Sequence, residues 1–250
     1  MGSRSEAKGD VFTLVQHLDP SLNVGHVRQV LWRFVGIAPS YPEMARQPGP
    51  AGADRPVATG WERRPPLRPG SDAWTYLAQM RRLPAAVLTV AATADVVRDG
   101  PLASAWFAHR GADGTVCHVD IRGPDYKGSL RGGSKSLFKL PTGQGFPCRL
   151  VVTEAPIDAL SLAALEGLRA DTRYTATGGG IGPGTAAALQ TELRAIAASP
   201  GARLIVATDA DLAGDRHAAR LAEIAAGAGV PSERLRPEIG DDWNNKGRGM

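Results

Sequence analysis

The chain has almost no cysteine. Cys117 and Cys148 are the two among 250 residues, which excludes a disulfide framework and a cysteine-built zinc site; no zinc is expected, and a reducing cytoplasm is the expected setting. His17, His26, His109, His118 and His217 share no ligand spacing along the chain, so none is assigned to a metal. An uninterrupted apolar run of bilayer length is missing, as is a basic leader followed by an apolar stretch, so no membrane partner is expected. Acid is scarce in one place in particular. From residue 122 to 149 the sole carboxylate is Asp125, against Arg122, Lys127, Arg131, Lys135, Lys139 and Arg149.

That basic run is interleaved with Gly123, Gly128, Gly132 and Gly133, so it reads as exposed loop more than helix. Cations on small-residue loops suit a phosphate backbone, because nothing bulky blocks the approach. The whole chain, at net charge +4 and pI near 9.3, permits an anionic partner without requiring one.

Four segments follow from composition. Residues 1–38 carry apolar positions at helical spacing, Val11, Phe12, Leu14, Val15 and Leu18, then Val27, Val30 and Leu31, and predict two short helices. Residues 39–71 hold eight prolines with Gly, Ala and Arg and almost no periodicity, which predicts a flexible linker. Residues 72–148 predict two helices and then a hairpin, with strands at 103–109 and 115–122 around Ala112-Asp113-Gly114. Residues 149–250 repeat one pattern three times, a short β-rich run followed by a helix of about a dozen residues, which is the signature of a parallel doubly wound sheet.

Functional groups in such a sheet collect where the strands end, since the crossover helices start there. The run Leu150–Thr153 stops at Glu154, Arg173–Thr177 at Gly178-Gly179-Gly180, and Arg203–Thr208 at Asp209-Ala210-Asp211. Carboxylates gathered on one edge repel unless a cation lies among them. With oxygen donors alone, the hard ions Mg²⁺ or Mn²⁺ suit, and a phosphate is the natural substrate of such an ion. Asp158, one turn beyond Glu154, and Asp215 extend the acidic set. Each acid also has a plainer reading as a helix cap or first-turn residue, and the glycines have one as a tight turn.

A Glu after the first strand, a glycine turn after the second and Asp-x-Asp after the third resemble the TOPRIM domain shared by DnaG-type primases, topoisomerases and some nucleases. The wording Glu154-Ala155-Pro156-Ile157-Asp158-Ala159-Leu160-Ser161 with Asp241-Asp242-Trp243-Asn244 is most similar to primase-like TOPRIM proteins of plasmids and mobile elements. The resemblance implies an α/β fold: a TOPRIM-type parallel sheet flanked by helices, preceded by a small α+β accessory subdomain and a short helical N-terminal segment. It implies Glu154 as the catalytic residue, Asp209 and Asp211 as metal ligands with Asp158, Asp215 and Asp242 as further candidates, and Mg²⁺ or Mn²⁺ as cofactor. Lys127, Arg131, Lys135 and Lys139, with Gly178, Gly179 and Gly180, become the nucleic-acid or nucleotide track. Lys8-Gly9-Asp10-Val11-Phe12 is similar to the tail of a primase zinc ribbon, although a plain helical hairpin explains it as well.

The implied activity is Mg-dependent primase-like nucleotidyl transfer on a single-stranded DNA template, with nucleotides as substrates and a replicative helicase or relaxase as partner. Two alternatives stand beside it: a TOPRIM nuclease, and a non-catalytic nucleic-acid-binding module for replication or mobilisation. A topoisomerase is disfavoured, since Ala213 occupies the position of a third acid and Tyr41, Tyr76, Tyr126 and Tyr174 lack a supporting motif.

Overall fold

In the computed structural model, residues 11–18, 56–143, 147–237 and 242–244 are described. The chain divides into two compact units, 1–53 and 54–250. In the first, α1 (Val11–Leu18) leaves Val11, Leu14 and Leu18 more than half exposed. The expected helix at 27–31, residues 8–10 of the ribbon-like tail and Asp241 lie outside the described residues.

The second unit begins inside the expected linker. Residues 57–62 form α2, and Trp61 is buried beside Val57. Arg98 stacks over the Trp61 ring, 4.9 Å from its centroid, and donates to the Trp61 carbonyl oxygen at 3.0 Å. Over 56–71 the flexible-linker expectation is therefore corrected: a tryptophan and two aliphatic side chains, Val57 and Leu67, bury enough apolar surface to hold a proline-rich segment down. The remainder of the expected linker, 39–55, lies outside the described residues.

After α3 (Asp72–Thr75), capped by the Ser71 hydroxyl accepting from the Trp74 N–H, the helix continues as one π turn over Tyr76–Met80. Helix α4 (Ala85–Thr93) follows. The hairpin forms as predicted, β2 (Ala105–Arg110) against β3 (Val116–Arg122), flanked by β1 (Val97–Asp99) and β4 (Lys127–Ser129). A strand that the sequence had hidden in the basic loop, β5 (Phe138–Pro141), then leads to β6 (Arg149–Thr153).

The expected parallel core is present. β7 (Thr172–Ala176) and β8 (Arg203–Val206) flank β6 in parallel, β9 (Ser232–Arg234) pairs beyond β8, and the crossovers are α5 (Pro156–Leu165), α6 (Pro183–Ile196) and α7 (Leu212–Gly227). The accessory strands join the same sheet. β5 pairs antiparallel with β7 and meets β2, giving one mixed sheet in the order β4-β3-β2-β5-β7-β6-β8-β9, with β1 beside β2. No break in the sheet falls at the expected boundary of residues 148 and 149.

Strand alternation explains the layers. Val151 and Ile205 face the apolar cluster containing Leu160, Leu88 and Trp243, whereas Leu150, Val152, Leu204 and Val206 face Leu189, Leu193, Leu221 and Ile224 of α6 and α7. With both faces covered, every residue of β6 is buried. The sheet is thereby a rigid base whose carboxyl edge carries the polar groups.

Candidate active site

Register aligns the three strand ends. Thr153 pairs with Ala176 and Val152 with Val206, so Glu154, the glycine turn and Asp209 emerge side by side. Backbone hydrogen bonds stitch the loops: the Gly179 N–H donates to the Glu154 carbonyl oxygen at 3.1 Å, and the Asp209 N–H donates to Glu154 Oε1 at 3.3 Å. Gly214 permits the tight start of α7. A Cβ there would sit 2.1 Å from the Asp209 carbonyl oxygen, so any side chain would push the strand end away.

These ends open into a cleft of about 560 Å³. Glu154, Asp158, Asp209 and Asp242 line one side together with Gly178 and Gly179; Arg81, Arg122 and Lys127 line it as well. Tyr126, about half exposed, stands at the same opening. The segment 242–244 is pinned onto this edge. Trp243 is buried and its Nε1–H donates to the Ala207 carbonyl oxygen at 2.8 Å, while Asn244 donates to the Arg81 carbonyl oxygen and to Ser161 Oγ.

Two of the acids, Asp158 and Asp209, are held away from ordinary carboxylate behaviour. Burial is the main force pushing Asp158 up to about 8, and the charges of Asp209 and Asp242 add to it. Asp209 is pushed up to about 7, first by burial and then by Glu154, Asp242 and Asp211, against a smaller opposing pull from Arg234. Asp209 Oδ1 is buried with no hydrogen-bond partner. An orphaned carboxylate oxygen amid mutually repelling carboxylates fits a hard divalent cation. His217 Nδ1 lies 3.2 Å from Glu154 Oε2, within ion-pair distance but out of line for a hydrogen bond.

The other expected residues fall elsewhere. Asp211 Oδ1 accepts from the Gly214 N–H at 2.7 Å and caps α7, the plainer of its two readings. Asp215 does not line the cleft; it pairs with Arg236 at 2.5 Å and Arg234 at 3.5 Å. Lys139 is held by Glu192 at 3.0 Å, which also pairs with Arg173. Lys135 Nζ donates to the Gly178 carbonyl oxygen at 2.6 Å, bracing the turn from beneath. Arg131 is exposed and Gly180 sits in open space, neither of them lining the cleft. Of the expected basic track, Lys127 lines the cleft.

Arg81, Arg122, Tyr126 and His217 were not selected from sequence. Arg122 belonged to the basic run, but Arg81 gave no signal, because it follows a π turn and is aimed by Tyr76. Its Nε–H donates to Tyr76 Oη at 2.8 Å.

Residues 151–246 match the family described as Toprim-like, and residues 75–145 match one described as a protein of unknown function (DUF3991). No curated protein matches the chain. Three solved structures are similar. The primase fragment of the bacteriophage T7 primase-helicase protein shares 21% identity over 60% of this chain and 59% of its own, with a TM-score of 0.38. The DnaG catalytic core shares 19% identity over 78% and 74%, with a TM-score of 0.50. The DnaG primase catalytic domain bound to ssDNA shares 18% over the same shares, also at 0.50.

Proposed function

We propose that this chain, whose residues 151–246 match the Toprim-like family and whose fold is similar to the DnaG catalytic core, is a divalent-metal-dependent, primase-like nucleotidyltransferase of plasmid or mobile-element replication. The substrates are nucleoside triphosphates and single-stranded DNA template, in line with the relative described as bound to ssDNA. One observation carries the reading: four acids from three distant parts of the chain, Glu154 and Asp158 at the start of α5, Asp209 after β8 and Asp242, converge on a cleft that also presents Arg81, Arg122 and Lys127.

The division of labour follows from charge. Arg81, Arg122 and Lys127 receive the triphosphate, whose negative charge they offset in a partly water-excluded cleft. Glu154 accepts the proton of the attacking hydroxyl as its oxygen bonds to the α-phosphorus and pyrophosphate departs. Asp209, with Asp158 and Asp242, would hold Mg²⁺ or Mn²⁺. That ion supplies neutralisation of the charge that gathers on the transferring phosphoryl group. Tyr126 offers an exposed aromatic face beside Lys127 on which a base can stack. A replicative helicase or relaxase is the expected partner on the DNA.

The test is primer synthesis by the purified protein on single-stranded template with nucleotides and Mg²⁺, beside a metal-free control. Glu154→Gln and Asp209→Asn are expected to abolish product. Oligomers made equally well by both variants overturn the reading, and strand cleavage without synthesis reassigns the cleft to a nuclease.

A further inference from the structure

Packed against the glycine turn lies a second cluster, assembled by the hairpin. Residues His109 and His118 are a directly paired cross-strand couple in the register of β2 and β3, and Asp120, two residues along from His118, projects to the same face. All three are buried, at 0%, 4% and 3% exposure. The absence of ligand spacing along the chain is thus undone by strand pairing, which brings positions nine apart face to face.

The hydrogen-bond inventory of this cluster does not close. His109 Nδ1 lies 3.0 Å from the Ser136 carbonyl oxygen. A carbonyl can only accept, so Nδ1 carries the hydrogen, and in the neutral ring Nε2 is then a bare lone pair. That lone pair faces Asp120 Oδ2, another acceptor, at 3.0 Å. Asp120 Oδ1 faces His118 Nε2 at 3.6 Å, and neither ring nitrogen of His118 has a hydrogen-bond partner. One proton on His109 would relieve the first contact and leave His118 unsatisfied. A cation shared by all three relieves both.

We propose that His109 Nε2, His118 Nε2 and an Asp120 carboxylate oxygen form a site for a divalent transition-metal ion of the Zn²⁺ class, separate from the cleft acids. The three ligand atoms lie within 4.8 Å of one another. Donors about 2.1 Å from a tetrahedral ion stand roughly 3.4 Å apart; His109 Nε2 lies 3.0 Å from Asp120 Oδ2 and His118 Nε2 lies 3.6 Å from Asp120 Oδ1, so the carboxylate stands near that spacing from both rings. Imidazole with carboxylate selects Zn²⁺ over the oxygen-loving Mg²⁺. The Ser136 carbonyl fixes the His109 tautomer from behind, as second-layer partners of metal-bound histidine do. Three protein ligands leave one coordination position.

The site is structural in consequence. A Cβ on Gly178 would lie 2.3 Å from Asp120 Oδ2 and 3.0 Å from His109 Cε1, so the glycine turn rests directly on the cluster. The ion would cross-link the two strands of the β2–β3 hairpin directly against the turn that follows β7. This inference does not depend on nucleotidyl transfer.

The experiment is metal analysis of full-length protein after chelator dialysis and reloading with Zn²⁺, on wild type, His118→Gln, Asp120→Asn and Asp209→Asn. One tightly held Zn²⁺ per chain is expected in wild type and Asp209→Asn, with at least tenfold weaker retention in the two cluster variants at unchanged circular dichroism. Co²⁺ loaded into wild type reports independently of any variant's folding: strong visible ligand-field bands mark an imidazole-containing tetrahedral site, and weak ones an oxygen-only site. Zinc absent from wild type, zinc lost with Asp209→Asn in place of the cluster variants, or only weak cobalt bands would each overturn the proposal.

Discussion

Asp158 and Glu192 are equally buried, each 7% exposed, yet their carboxyl groups are driven in opposite directions. Around Glu192, burial alone would raise the acid, but Lys139 and Arg173 outweigh it and hold it below the ordinary range. Around Asp158 burial is reinforced by the charges of Asp209 and Asp242, and the group is pushed up to about 8. Burial by itself therefore does not mark the site. The mark is mutual repulsion among acids gathered at the end of a rigid sheet, the pattern expected where a divalent cation joins them.

The largest effect that sharpens this contrast is on chemistry. Glu154→Gln or Asp209→Asn should reduce primer synthesis by about 10²-fold or more, while Glu192→Gln should leave the rate per folded molecule within a few-fold. Synthesis assays normalised to folded protein decide it; a comparable loss of rate in Glu192→Gln would erase the distinction.

Stability should show the reverse. Glu192→Gln leaves Lys139 and Arg173 facing a neutral amide and should cost about 1–2 kcal/mol, a moderate figure because both cations are a quarter or more exposed. Asp158→Asn should stabilise the metal-free protein already at pH 7, where the unfolded chain ionises this group and the folded one keeps it protonated, and slightly more above pH 8. Urea titrations at pH 7 and 9 compare the two directly.

A pH scan follows from the same shifts. The folded-state values of Asp158 and Asp209, about 8 and about 7, lie above the unfolded value of 3.8. The unfolded chain therefore releases these protons first, and metal-free stability should fall as pH rises from about 4 to 8 and then level off. Saturating Mg²⁺ should flatten that decline in wild type more than in Asp209→Asn. Melting temperature against pH, with chelator and with Mg²⁺, is the measurement.

The smallest expected effects concern the basic residues. Lys127→Ala should weaken single-stranded DNA binding and lower its salt dependence by about one counterion, whereas Arg131→Ala and Lys139→Ala should change it less. Fluorescence-anisotropy titrations over a range of salt separate them.

The fold was legible where periodicity and punctuation agreed. Three β-runs, each ending at a glycine or an acid, predicted β6, β7 and β8 and placed Glu154 and Asp209 correctly at one edge. Strand β5 was hidden because Phe138–Pro141 is short, sits in a basic run and shows little alternation. The helix and buried side chains at 56–71 were hidden for the opposite reason, eight prolines in the expected linker masking one anchoring tryptophan. Within the acidic set, sequence could not separate Asp209 from Asp211, two residues apart, because which one caps α7 is decided by the local turn. Lys135 and Lys139 were drawn into the expected phosphate track by charge, yet they are engaged with Gly178 and Glu192. The histidine pairing was beyond any spacing rule, since it depends on the register of a hairpin whose strands were predicted without that register.

The central claim, that Asp209 anchors a divalent ion beside Glu154, is tested most directly by titrating Mn²⁺ into wild type, Glu154→Gln and Asp209→Asn while following the free-ion electron paramagnetic resonance signal. The account predicts that wild type binds one ion that Asp209→Asn loses and Glu154→Gln holds more weakly. Indistinguishable Mn²⁺ binding by all three proteins would contradict it.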